Sequence, residues 1–175
     1  PYVTLARYNT LKISIYGLFI ALSFVIPFAT ASGILLYRKI PKMHVFFSAV
    51  INFLAASYFA KMFAFAAQGF SVGFFEAGIS SIGAALGLMV GILVYRFTYP
   101  PASKDIANAY FLAAPLMYSI AKIGCHFAGC CHGIPYDGLF HISYSNENFQ
   151  TGNLFPVQAT ESFVFLLIFI RKRHH

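Results

Sequence analysis

Residues 13–36 read ISIYGLFIALSFVIPFATASGILL, a run without one charged side chain. At 1.5 Å rise per residue, such a run covers the roughly 30 Å hydrocarbon core of a bilayer. It is apolar all round, unlike a surface helix of a soluble protein. Pro27 in its interior predicts a kink. Working outward, three more apolar runs of this kind cover residues 44–67, 74–97 and 106–124, the last with Pro115 inside it. A fifth begins at Pro156 and meets Arg171 after about 22 Å of helix. It therefore runs on through Arg171, Lys172 and Arg173, whose side chains snorkel to the interface. His174 and His175 read as a tag remnant, and a trimmed C-terminus is a second account of the short fifth run. The fold class is an all-α integral membrane protein, a polytopic bundle of about five transmembrane helices. Residues 1–175 form one transmembrane domain, and 125–155 form one long outward-facing polar loop.

Composition agrees. Hydrophobic types make up 59% of the 175 residues and charged types 10%. Soluble domains carry about 25% charged residues, so a water-soluble globule is excluded. Disorder is excluded by 21 Phe and 11 Tyr. The net charge of +7 does not mark a nucleic-acid partner, because the basic residues sit in short clusters between apolar runs. Arg38, Lys39, Lys42, Arg96, Lys104, Arg171, Lys172 and Arg173 fall on one side of a five-helix arrangement, and Arg7 and Lys12 on the other. The basic side is cytoplasmic. This places the N-terminus outside and the C-terminus in the cytoplasm. The first apolar run is too long for a cleavable signal peptide.

The polar residues then decide the chemistry. The 125–155 segment holds all three Cys and three of the six His. Cys125, His126, Cys130, Cys131 and His132 have the ligand chemistry of a zinc site. Cys130 and Cys131 are adjacent, however, and point apart on either a helix or a strand, so no metal is expected. A redox-active thiol pair, or a packed helix end with one or two working residues, remains open. Glu161 lies more than one turn into the fifth helix if Pro156 opens it, with Gln158 on the same face. A carboxylate there needs a partner, which Lys122, Lys61 or a loop His could supply. Lys61 either snorkels outward or marks a site. Glu76 could pair with Lys61 or Lys122, or be an ordinary interfacial carboxylate. Gly83, Gly87 and Gly91 line one helix face; they either let another helix approach or make room for a lipid, with Ser80 and Ser81 beside it.

The segment Ala114-Pro115-Leu116-Met117-Tyr118-Ser119-Ile120-Ala121-Lys122-Ile123-Gly124-Cys125-His126-Phe127-Ala128-Gly129-Cys130-Cys131-His132-Gly133 resembles the signature of prolipoprotein diacylglyceryl transferases. In that family an apolar run leads into Gly-Arg-x-Gly-(Asn or Cys)-Phe-x-Asn-Gly-(Glu or Cys), with a Gly two or three positions on. Tyr16-Gly17-Leu18 resembles its Trp-Tyr-Gly-Leu, Gly78-Ile79-Ser80-Ser81-Ile82-Gly83 its Gly-x-Ser-x-His-Gly-Gly, and Pro156-Val157-Gln158-Ala159-Thr160-Glu161 its Pro-x-Gln-x-x-Glu. The matches keep their order along the chain. The family's Arg falls on Lys122, its His on Ile82 and its Asn on Ala128, which makes this a divergent member.

The resemblance implies a transferase of the bacterial cytoplasmic (inner) membrane, without a cofactor. It would move a diacylglyceryl-type group from an anionic phospholipid such as phosphatidylglycerol to an acceptor, in the family a lipoprotein Cys thiol. Lys122 would bind the lipid phosphate and Tyr16 the head group, with Gln158, Glu76 and Gly83 also on the substrate. His126 or His132 would take the acceptor proton, and Glu161 would orient the His or the Lys. Cys125, Cys130 or Cys131 could instead be acceptor or nucleophile. Two alternatives stand beside this: a transporter or metal- and thiol-handling protein using the Cys/His loop, and a non-catalytic lipid-binding scaffold.

Overall fold

The computed structural model describes residues 2–4, 15–71, 73–131, 133–146, 149–150 and 152–173. In chain order the elements are β1 (Tyr2–Thr4), α1 (Ile15–Tyr37), α2 (Lys42–Ala67), α3 (Ser81–Thr98), a 3₁₀ turn (Pro100–Ala102) leading into α4 (Ser103–Ala128), β2 (Ser143–Asn146), β3 (Phe149–Gln150) and α5 (Val157–Arg173). Helices α1, α2 and α3 and the stretch Pro100–Ala128 are long and apolar enough to cross a membrane. Helix α5 is shorter at 17 residues and ends on Arg171, Lys172 and Arg173. Large apolar side chains such as Phe46, Leu54, Phe97 and Phe163 stand exposed along the helices, which in water would be a liability and in lipid is the expected outer surface. The chain is a helical membrane protein. Arg7 and Lys12, two of the residues used to orient it, lie outside the described residues.

Two helix boundaries and the loop differ from the sequence reading. Helix α3 starts at Ser81, not at 74, because the Ser80 hydroxyl caps it by accepting the Gly83 N–H at 3.3 Å. Residues 74–80 form turns and extended chain instead. Lys61 holds that segment, donating to the carbonyls of Phe75 (3.1 Å) and Ala77. Helix α4 runs on to Ala128, so the first residues of the 125–155 segment are helical. The remainder contributes β2 and β3 to a small sheet of order β1-β2-β3, with the N-terminal β1 parallel to β2 and β3 antiparallel to it.

The chain divides into two compact units, residues 27–114 and residues 1–26 with 115–175. The division falls at Pro27 and Pro115, inside α1 and α4, where each proline removes a helix hydrogen bond.

In the 27–114 unit, α3 lies directly on α2. A Cβ added at Gly83 would sit 2.3 Å from the Phe59 carbonyl oxygen and 2.6 Å from Phe63 Cβ; at Gly87 it would sit 2.3 Å from the Ala55 carbonyl oxygen; at Gly91, 2.6 Å from Asn52 Oδ1. The glycine face is therefore a helix contact. The space beside Gly83 is filled by Phe59 and Phe63, so of the two readings the close helix approach holds there and the placing of Gly83 on a lipid substrate is corrected. Leu35, Leu88, Tyr95, Ile106 and Tyr110 belong to the buried core of this unit. Arg38, just past the C-terminal end of α1, and Asp105, in the first turn of α4, form a 2.6 Å ion pair.

In the other unit, α4 packs against the start of α1 at Gly124, where an added Cβ would lie 2.8 Å from Phe19 Cβ and 3.6 Å from Tyr16 Cδ2. Phe19 and Phe127 stack at 5.5 Å. Helix α5 meets α4 through Ser119, whose Oγ donates to the Ser162 carbonyl at 2.8 Å, and through the Tyr118 and Phe165 rings at 4.4 Å.

Candidate functional site

Lys122 stands on α4 one turn past Tyr118, and Glu161 stands on α5 one position before Ser162. The Ser119–Ser162 contact fixes the two helices at this level. Lys122 Nζ then reaches 2.6 Å from Glu161 Oε2 and lies 5.1 Å from the centre of the Tyr118 ring. The two charges thus compensate each other, as charges on apolar helices need to. Lys122 is 14% exposed and Glu161 34%, so one side of the pair stays open. Gln158, one turn before Glu161, is fully buried and donates from Nε2 to the Cys130 carbonyl at 2.7 Å. It ties α5 to the turn that ends α4.

That turn has a definite origin. Gly129 has φ +65°, a conformation that suits a residue without Cβ. The Cys130 N–H bonds the Cys125 carbonyl at 3.2 Å and the Gly129 N–H bonds the His126 carbonyl at 3.3 Å. This pair of bonds is the Schellman helix end, in which the second residue past the cap lies over the third residue before it. Here those two positions are Cys130 and Cys125. Cys131 also has a left-handed backbone, φ +56°, and the three Sγ atoms all lie within 4.8 Å of one another. The expectation that Cys130 and Cys131 point apart is corrected. It holds for helix and strand, and Cys131 is in neither. The Cys130 thiol is lowered to about 6, chiefly by the hydrogen bond from Cys125, with burial opposing and the Lys122 charge assisting. The Cys131 thiol is raised, first by burial and then by the neighbouring Cys130.

The other expected residues fall as follows. Tyr16 lies beside Gly124 at the start of α1. His126 is one turn beyond Lys122 on α4 and sets its ring edge-on to Phe127 at 5.7 Å. His132 lies outside the described residues. In the loop, His141 Nδ1 is 2.9 Å from the Gly138 carbonyl. Glu76 and Gly83 belong to the 27–114 unit. Glu76 makes no ion pair among the described residues; its carboxylate accepts the Gly73 N–H at 3.3 Å. The thiol cluster is what the sequence reading missed, and its signal was Gly129 followed by a Cys five residues after Cys125.

Among the described residues four helices are long and apolar enough to cross a membrane and an ion pair joins α4 to α5, which defines a helical integral membrane protein. The family model for prolipoprotein diacylglyceryl transferase matches residues 3–174, and the chain belongs to that family. Its members are bacterial membrane enzymes that transfer a lipid group to prolipoproteins. No curated protein and no solved structure matches the chain.

Proposed function

We propose that this chain is a phospholipid-dependent transferase of the bacterial inner membrane, with its N-terminus outside and C-terminus in the cytoplasm. It moves a diacylglyceryl group from phosphatidylglycerol to the thiol of a lipoprotein cysteine. The observation that carries the reading is the Lys122–Glu161 pair, 2.6 Å apart on helices that the family's two polar motifs match. Lys122 binds the lipid phosphate as a point charge, without the bidentate fork that Arg would provide. Glu161 holds the ammonium in place until the phosphate arrives. Tyr16, across from Gly124, bonds the head group.

In the step itself, the acceptor sulfur forms a bond to the terminal glyceryl carbon. The bond from that carbon to the phosphate oxygen breaks, and glycerol phosphate leaves with the electron pair. The acceptor's thiol proton goes to an imidazole, for which His126 and His132 are the candidates. Lys122 stabilises the charge on the leaving phosphate.

The test is incubation of the purified protein with labelled phosphatidylglycerol and a prolipoprotein peptide, followed by mass spectrometry. A peptide carrying one diacylglyceryl group, with free glycerol phosphate in equal amount, is the expected result. Bound lipid without product would replace the transferase by a lipid-binding scaffold.

A further inference from the structure

The transferase reading gives the three cysteines no task, yet the fold brings all of their Sγ atoms within 4.8 Å of one another. Several features hold them there. The Schellman end of α4 sets Cys130 over Cys125. The left-handed backbone of Cys131 turns the third thiol toward the other two. Gln158, buried on α5, anchors the Cys130 carbonyl at 2.7 Å. Gly133 lets the returning chain press on Phe155, whose carbonyl oxygen an added Cβ would approach to 2.5 Å. All three cysteines are free, and Cys131 is exposed, which leaves a path for an ion to enter.

We infer that Cys125, Cys130 and Cys131 form a three-sulfur site for a soft monovalent metal ion, copper(I). A metal–sulfur bond of about 2.3 Å puts the corners of a planar trigonal site about 4.0 Å apart, so an inward shift of under about 1 Å closes the site. Among the described residues no His, Asp or Glu atom joins the three sulfurs. Zinc asks for four ligands in a tetrahedron. Thiolates without nitrogen or oxygen partners select copper(I). Binding exchanges thiol protons for the ion. The site stands on the thiol geometry alone and does not depend on the transferase reading.

The test is anaerobic titration of the reduced full chain in detergent with copper(I), in competition with bicinchoninate, and X-ray absorption of the loaded protein. One copper per chain with three sulfur neighbours near 2.3 Å is expected. Cys125→Ser, Cys130→Ser and Cys131→Ser should each weaken binding at least 100-fold. The absorption spectrum of the unsubstituted protein keeps the test valid if a Ser variant fails to fold. Absence of stoichiometric binding, binding that survives a Ser substitution in a folded variant, a nitrogen or oxygen ligand in the spectrum, or displacement by equimolar zinc would each overturn the assignment.

Discussion

Lys122 and Glu161 meet at 2.6 Å, and the ammonium also faces the Tyr118 ring at 5.1 Å. Among the described residues the carboxylate therefore has one fixed partner, and the cation has two. Exposed ion pairs contribute little, but breaking a buried one leaves an uncompensated charge, at a cost of about 3–5 kcal/mol. Glu161 is one-third exposed, so the loss here should fall below that range.

Glu161→Gln and Lys122→Ala should each reduce diacylglyceryl transfer by about 100-fold or more, while inserted protein is still recovered. The exchanged protein, Lys122→Glu with Glu161→Lys, separates structure from chemistry. It should regain most of the thermal stability lost in the single variants and none of the turnover, because the cation is then on the wrong helix for the phosphate. Restored turnover in the exchanged protein would reduce the pair to a structural tie.

The helix end at Gly129 gives a second expectation. A side chain there is strained by roughly 1–2 kcal/mol, because φ is +65°. Gly129→Val should open the turn and move Cys130 away from Cys125. With Cys131 replaced by Ser, bridging of the two remaining thiols by dibromobimane should fall several-fold relative to the glycine protein. Undiminished bridging would show that the Schellman bonds are not what brings the sulfurs together.

Much of this was legible from the residues. A mainly apolar run of membrane length permits few alternatives, so α1, α2 and α4 were placed to within a few residues. That Glu161 needs a partner was readable because an unpaired charge in an apolar helix is costly, but the residues alone left Lys122, Lys61 and a loop His as equal candidates. Helix α3 was misplaced at its start because apolarity does not distinguish helix from extended chain; only the capping Ser80 does. The thiol cluster was misread for a related reason. Adjacent side chains diverge in regular structure, and a left-handed residue such as Cys131 has no signal of its own beyond the glycine that precedes the turn. The sheet of β1, β2 and β3 joins distant segments through backbone bonds, which leave little trace in composition.

The glycines of α3 supply a third expectation with an internal control. An added Cβ at Gly87 would lie 2.3 Å from a backbone oxygen of α2, whereas at Gly33 nothing lies within 4 Å. Gly87→Ala should lower the thermal midpoint in detergent, at a cost of about 1–3 kcal/mol from overpacking. Gly33→Ala should be neutral or mildly stabilising, since alanine is the better helix former by about 1 kcal/mol. Equal effects at the two positions would contradict the close packing of α2 on α3.

The orientation can be read chemically. Leu139 in the loop is 95% exposed, and Tyr37 at the end of α1 is 89% exposed. In a background with Cys125, Cys130 and Cys131 replaced by Ser, Leu139→Cys should react with a membrane-impermeant maleimide in intact spheroplasts. Tyr37→Cys should react only after lysis, since it adjoins the basic cluster Arg38, Lys39 and Lys42, which the proposed orientation puts on the cytoplasmic side. The reverse pattern would invert the topology and remove the proposed access of the loop to an exported acceptor.

The remaining question is which imidazole takes the acceptor proton. His126 follows Lys122 by one helical turn, and side chains spaced in this way share a face. Phosphate bound at Lys122 would therefore lie within reach of the His126 ring, and the leaving oxygen and the incoming sulfur would share that neighbourhood. Phe at this position keeps the ring and its packing beside Phe127 but cannot hold a proton. His126→Phe should therefore fold and insert normally, bind phosphatidylglycerol as well as the unsubstituted protein, and lose about 100-fold or more in turnover. The loss should shrink as pH rises, because the acceptor thiol then ionises without help from a base. Retained turnover at neutral pH would take the role from His126 and leave His132 or His141, both in the loop, to be tested in the same way.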